Sequence, residues 1–179
     1  YNAVDYELSR GCPFTCSYCV ETVIQDYYGF DEKVQNGVLK NARQYLRNKS
    51  AKRIFDEMEF LYKNHDIQYF RCQDTNFLTI DRKTLIGLAD LLELNELPIM
   101  LYIETRPESI SDNIIPLMKR LRIDGVGMGI ELASENFRKS SLNRYPAQDK
   151  IINAFKILKK AGIKRTTYNI IGLPDETEE

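Results

Sequence analysis

Five short apolar stretches recur along this chain, and four of the intervals between them carry helical periodicity. Residues 1–9, 67–72, 99–103, 126–130 and 166–171 read as strands. Ser50 is placed to cap a helix running to residue 64, with Ile54, Met58, Leu61 and Tyr62 on one face. Asp81 is placed to cap the next, to residue 95, with Leu85, Leu88, Ala89 and Leu92 inward. Ser111 is placed to cap a third, with Ile114, Ile115, Met118 and Leu121 apolar, and residues 147–161 form a fourth, closed by Gly162. A strand that must be followed by a helix before the next strand cannot form hairpins. It pairs in parallel through right-handed crossovers. The pattern therefore predicts an α/β chain with five parallel strands. At 179 residues it is long enough for one domain with a sizeable core. Residues 34–46 show irregular helical periodicity, and Tyr27, Tyr28 and Phe30 around Gly29 read as a packed loop.

The first strand leads into Gly11-Cys12-Pro13-Phe14-Thr15-Cys16-Ser17-Tyr18-Cys19, which holds three of the four cysteines in a C-x-x-x-C-x-x-C spacing. Disulfides between such near neighbours would be strained. Thiolates this close suit iron–sulfur chemistry or zinc. Three cysteines holding four irons would leave one iron open to a small molecule. A structural zinc would want a fourth ligand, for which Cys72 is the one remaining cysteine.

Polar and glycine-bearing residues recur just after the strands: Gln73-Asp74-Thr75-Asn76-Phe77, Glu104-Thr105-Arg106-Pro107, Glu131 and Gly172-Leu173-Pro174. That carboxyl edge is where parallel sheets bind ligands. In Gly127-Met128-Gly129-Ile130-Glu131, alternation puts both glycines and Glu131 on one face, clearing room for a ligand. Cys72 and Asp74 share a face by the same rule, as do Glu104 and Arg106.

The bulk numbers exclude several classes. The chain is 43% apolar and 28% charged, with net charge −1, so nothing indicates nucleic-acid capture. It has no apolar run of membrane-spanning length, and its opening residues are not expected to be a signal peptide, because Asp5, Glu7 and Arg10 interrupt any apolar stretch. Clustered cysteines point to a reducing, cytoplasmic setting. The chain opens on a strand without methionine and closes on an acidic stretch, residues 175–179, that reads as the first turn of a helix. It is expected to be a piece of a longer protein.

The cysteine loop, with Tyr18 before its last cysteine, resembles the signature of the radical S-adenosylmethionine (SAM) enzymes. Its Gly-Cys-Pro opening is similar to the branch of cobalamin-dependent enzymes and methylthiotransferases. That family's core is a partial (β/α)6 barrel resembling a TIM barrel, of which five units are recognisable here. The resemblance thus implies a truncated barrel over residues 1–179, without the sixth strand. It further implies a 4Fe-4S cluster on Cys12, Cys16 and Cys19, and SAM chelated to the open iron and cleaved to a deoxyadenosyl radical that abstracts hydrogen. Tyr18 would shield the cluster. Gly127, Gly129 and Glu131 match the family's ribose-binding motif, and Ser134 either helps hold SAM or caps a helix. Ile170 and Gly172 match the segment flanking adenine. Asp74 stands where the family receives the SAM amino group. Arg106 would pair with Glu131 or approach the SAM carboxylate, for which Arg144 is a second candidate. A flavodoxin- or ferredoxin-like electron donor and a small-molecule substrate are implied, with cobalamin carried by a domain outside this chain.

Three alternatives remain open on the residues alone. One is a methylthiotransferase-like core that modifies tRNA. Another is a binding module stabilised by zinc on Cys12, Cys16, Cys19 and Cys72. The third is a non-catalytic relative that keeps its cluster.

Overall fold

The computed structural model describes residues 2–30, 32–34 and 37–176. Five parallel strands form one sheet in sequence order: β1 (Asn2–Tyr6), β2 (Ile67–Cys72), β3 (Met100–Thr105), β4 (Ile123–Glu131) and β5 (Lys164–Asn169). The helices are α1 (Val20–Tyr27), α2 (Ala51–His65), α3 (Arg82–Leu94), α4 (Ile115–Arg120), α5 (Glu135–Leu142) and α6 (Gln148–Ala161). The sheet is open rather than closed, as a partial barrel requires.

One core joins sheet and helices. Phe70, Cys72, Leu101, Ile103, Val126 and Met128 leave the strands on one side and meet Ile54, Met58, Leu85, Leu88, Leu92, Met118 and Leu158 of the helices. The opposite face is polar. Arg71 pairs with Asp5, Lys164 with Asp124, and Tyr168 donates to Glu104. Helices on one face only distinguish this sheet from a doubly wound one.

The strand boundaries follow local chemistry. The Ser50 hydroxyl accepts the Arg53 amide at 3.2 Å and starts α2 as expected. Gly162, at φ 76°, ends α6. Three expectations are corrected. The helix expected after Ser111 starts later, at Ile115, because Pro116 suits only the first turn and Ile114 takes the N-cap position. Residues 34–46 do not form a helix. Lys33–Val34 pairs with Val38–Leu39 and one helical turn follows at Ala42–Tyr45, residues 35–36 lying outside the described residues. Gly37, at φ 65°, permits that reversal, and its carbonyl accepts the Thr15 amide at 2.9 Å. The fifth strand stops at Asn169, so Ile170 and Ile171 lie beyond it.

Helices α1 and α5 are additions to the pattern read from sequence. Tyr1 and the end of the acidic turn, residues 177–179, lie outside the described residues. No helix among the described residues is long and apolar enough to cross a membrane.

Phe70 is 0% exposed at the centre of the core. Phe70→Ala is expected to remove about 3–5 kcal/mol of stability, read from urea unfolding midpoints, with little change in the far-UV spectrum.

Candidate functional site

The cysteine loop leaves β1 at the carboxyl edge of the sheet and is held from three directions. From below, the Asp74 carboxylate accepts the Leu8 amide at 3.1 Å, the Ser9 amide at 2.5 Å and the Ser9 hydroxyl at 2.5 Å. From α1, Gln25 Nε2 donates to the carbonyls of Cys12 and Phe14 at 2.8 and 3.0 Å. From the end of α5, Asn143 Nδ2 donates to the Thr15 carbonyl at 2.7 Å, and Ser17 Oγ donates to the Ser141 carbonyl at 2.6 Å. Cys19 takes the N-cap position of α1, where the helix dipole favours a thiolate.

Cys12 and Cys16 are buried and Cys19 is half-buried. Burial pushes the Cys12 thiol up to about 12, and burial also raises Cys19. Left bare, these two thiols stay protonated at neutral pH. A cationic cluster would be needed to hold them as thiolates. Among the described residues, no three His, Cys, Asp or Glu side chains converge as ligands of a single metal ion. Cys72 is 1% exposed within the core, with its Sγ directed at the Phe70 carbonyl. It belongs to the helix-facing side of β2, which removes it as a fourth ligand beside the loop.

A second group of residues ties the loop to β4. The Tyr18 hydroxyl donates to Glu131 Oε1 at 2.7 Å and receives Arg144 Nη1 at 3.2 Å. Arg144 also pairs with Glu131 at 3.2 Å and donates to the Gly129 carbonyl at 2.6 Å. Burial outweighs the Arg144 charge and raises the pKa of the Tyr18 hydroxyl, keeping it a donor. The register slips between Gly129 and Glu131, and Glu131 takes a left-handed backbone at φ 67°. That bulge aims its carboxylate back over Gly129. A Cβ on Gly129 would collide with Glu131 Oε1, and one on Gly127 would stand 2.6 Å from the Tyr102 hydroxyl. The space cleared by the glycines is thus partly filled by the protein's own side chains.

Several expected roles change. Asp74 is 0% exposed with its oxygens engaged by Leu8 and Ser9 just beyond β1, so it braces the loop in this structure rather than standing open to an ammonium group. Burial raises its pKa even against the Ser9 and Leu8 hydrogen bonds. Arg106 pairs with Glu108 at 2.5 Å and lies beside Cys16, while Glu131 takes Arg144 instead. Arg144 is 5% exposed, a buried residue of the site. Ser134 accepts the Phe137 amide at 3.3 Å and caps α5. Ile170 donates its amide to the Glu131 carbonyl at 2.9 Å, beside the site, and Gly172 lies beyond it at φ 84°.

Sequence reasoning missed Gln25, Asn143 and Arg138. Arg138 is fully buried and donates to the carbonyls of Leu132, Ala133 and Pro146, shaping the turn that carries Arg144. The one available signal was Ser134 with Glu135, a cap and an acidic first turn.

The fold and this site meet in the comparisons. Residues 6–179 match the model of the Radical SAM superfamily, and the chain belongs to that superfamily. It is 30% identical over 173 residues to an anaerobic magnesium-protoporphyrin IX monomethyl ester cyclase of Rubrivivax gelatinosus, covering 96% of this chain and 28% of the cyclase. The radical SAM methyltransferase TsrM of Kitasatospora setae, solved with cobalamin and a [4Fe-4S] cluster, shares the fold at a TM-score of 0.69 and 18% identity, over 97% of this chain and 32% of TsrM. The cobalamin-dependent enzyme OxsB, solved with aqua-cobalamin, shares it at 0.70 and 16% identity, over 93% of this chain and 23% of OxsB. The chain spans about a third or less of each of these relatives.

Asp74→Ala would strand the Leu8 and Ser9 donors, each costing about 1–3 kcal/mol when buried without a partner. The expected result is a loss of about 2–4 kcal/mol in chemical unfolding of the ligand-free protein. A role confined to SAM binding would leave that stability unchanged.

Proposed function

We propose that this chain is the SAM-cleaving core of a cobalamin-linked radical SAM methyltransferase or cyclase. One observation carries the proposal: three thiols on one loop are joined through Tyr18 to Glu131 and the glycines of β4. The names of the cyclase, TsrM and OxsB support the branch.

When bound, a four-iron cluster would supply the reducing electron for cleavage of SAM, the chemistry that makes hydrogen abstraction from substrate possible. Cys12, Cys16 and Cys19 would hold that cluster. Pro13 is buried, and Phe14 is half-buried under the Arg106 guanidinium. Glu131 would accept hydrogen bonds from the ribose hydroxyls, with Arg144 fixing the carboxylate's orientation. Ile170 would flank the purine beside it. A flavodoxin- or ferredoxin-like donor in a cytoplasmic setting would deliver the electron. The substrate is proposed to be a small molecule, and cobalamin would come from a domain outside this chain.

Anaerobic reconstitution with iron and sulfide tests the proposal. About four irons per chain are expected, with an electron paramagnetic resonance spectrum of the reduced protein that changes on adding SAM. Alanine at Cys12, Cys16 or Cys19 is expected to abolish cluster binding, and Cys72→Ala to retain it. A single tightly held zinc, or a spectrum indifferent to SAM, would overturn the reading.

A further inference from the structure

Arg106 follows β3 and is 8% exposed. Its backbone is extended, at φ −88° and ψ 144°, as Pro107 requires of the residue before it. The Thr105 hydroxyl, anchored on Asn76 at 2.7 Å, fixes the strand end just before it. The side chain therefore leaves the sheet in one direction, toward the cysteine loop. There Nη1 donates to Cys16 Sγ at 3.2 Å, and the guanidinium lies 3.9 Å over the Phe14 ring. Nε donates to Glu108 Oε1 at 2.5 Å. Cation, ring and carboxylate together lock the fork in a plane that reaches the sulfur.

We propose that Arg106 is a positioning residue that sets the reduction potential of a cluster on this loop, through a charge-assisted N–H···S hydrogen bond to Cys16. The inference rests on the cluster reading above. Reduction places an additional negative charge on the cluster and its thiolate sulfurs. A buried cation donating to one of those sulfurs stabilises the reduced form, and solvent screens it little. Glu108 opposes the effect, because its carboxylate neutralises part of the same guanidinium. Lysine would retain the charge but lose both the fork that spans Glu108 and Cys16 and the flat face on Phe14.

The test is a redox titration of the reconstituted protein, followed by electron paramagnetic resonance, alongside iron content. At the midpoint of the unchanged protein, Arg106→Met is expected to lower the reduced-to-oxidised ratio about tenfold, which is about 59 mV for a one-electron couple. Arg106→Lys is expected to lower it less, and Glu108→Gln to raise it. A substitution at Arg120, a surface arginine paired with Asp90 and Glu93, should leave the ratio unchanged. If Arg106→Met loses iron, the lysine and Glu108→Gln variants carry the test through their opposite signs. Midpoints that do not move in variants holding four irons would overturn the inference and leave Arg106 a brace of the loop, with the cluster reading intact. Failure of the unchanged protein to assemble a cluster would overturn both.

Discussion

Phe70, Leu101, Ile103, Val126 and Met128 leave the sheet on the same side, and each is 0% exposed beneath the helices. The period of two along a strand then commits the residues between them to the opposite face. Tyr102, Glu104, Gly125, Gly127 and Gly129 stand there, in a layer that the helices never cover. A one-residue slip in any central strand would bury its polar set and expose its apolar one. The polar face therefore exists because the apolar face must be covered, and chemistry can be placed on it without weakening the core.

The cysteine loop depends on that frame at its two ends. Asp74 continues the buried side of β2 and turns its carboxylate onto the backbone of Leu8 and Ser9. Glu131 ends β4 in a bulge and points the other way, to Tyr18 and Arg144. The two carboxylates look alike in sequence, each following a strand. One satisfies backbone donors that would otherwise be stranded, and the other forms a buried ion pair closed by a phenol. A buried pair of this kind gives little net stability but strongly penalises loss of either partner. It fixes geometry, which is what a loop needs if it is to hold a cluster beside a ligand.

Much of this was legible from sequence because it is local. The strand–helix alternation, the Ser50 cap, the Gly162 stop and the three cysteines each depend on a few neighbouring residues. Residues 34–46 misled, because their apolar spacing resembles a helix while the Gly37 carbonyl and the Leu39 amide bond to the cysteine loop, the amide donating to the Pro13 carbonyl at 2.8 Å. Arg106 and Arg144 were both visible as arginines after strands. Which would meet Glu131 and which would meet Cys16 could not be read from their order.

The sequence by itself determined the class of fold, the three-cysteine loop and the glycine-lined strand opposite it, since spacing and periodicity act within a single element. Tertiary structure alone decided the partners. Cys72 went to the core, Asp74 to the backbone of Leu8 and Ser9, Arg144 to Glu131 and Arg106 to Cys16. The physical reason is that a buried charge or hydrogen-bonding group must find its counterpart across the fold. That counterpart comes from another strand or loop, 13 residues away for Arg144 and 65 or more for Asp74 and Arg106, whose distance in space the chain's order does not encode.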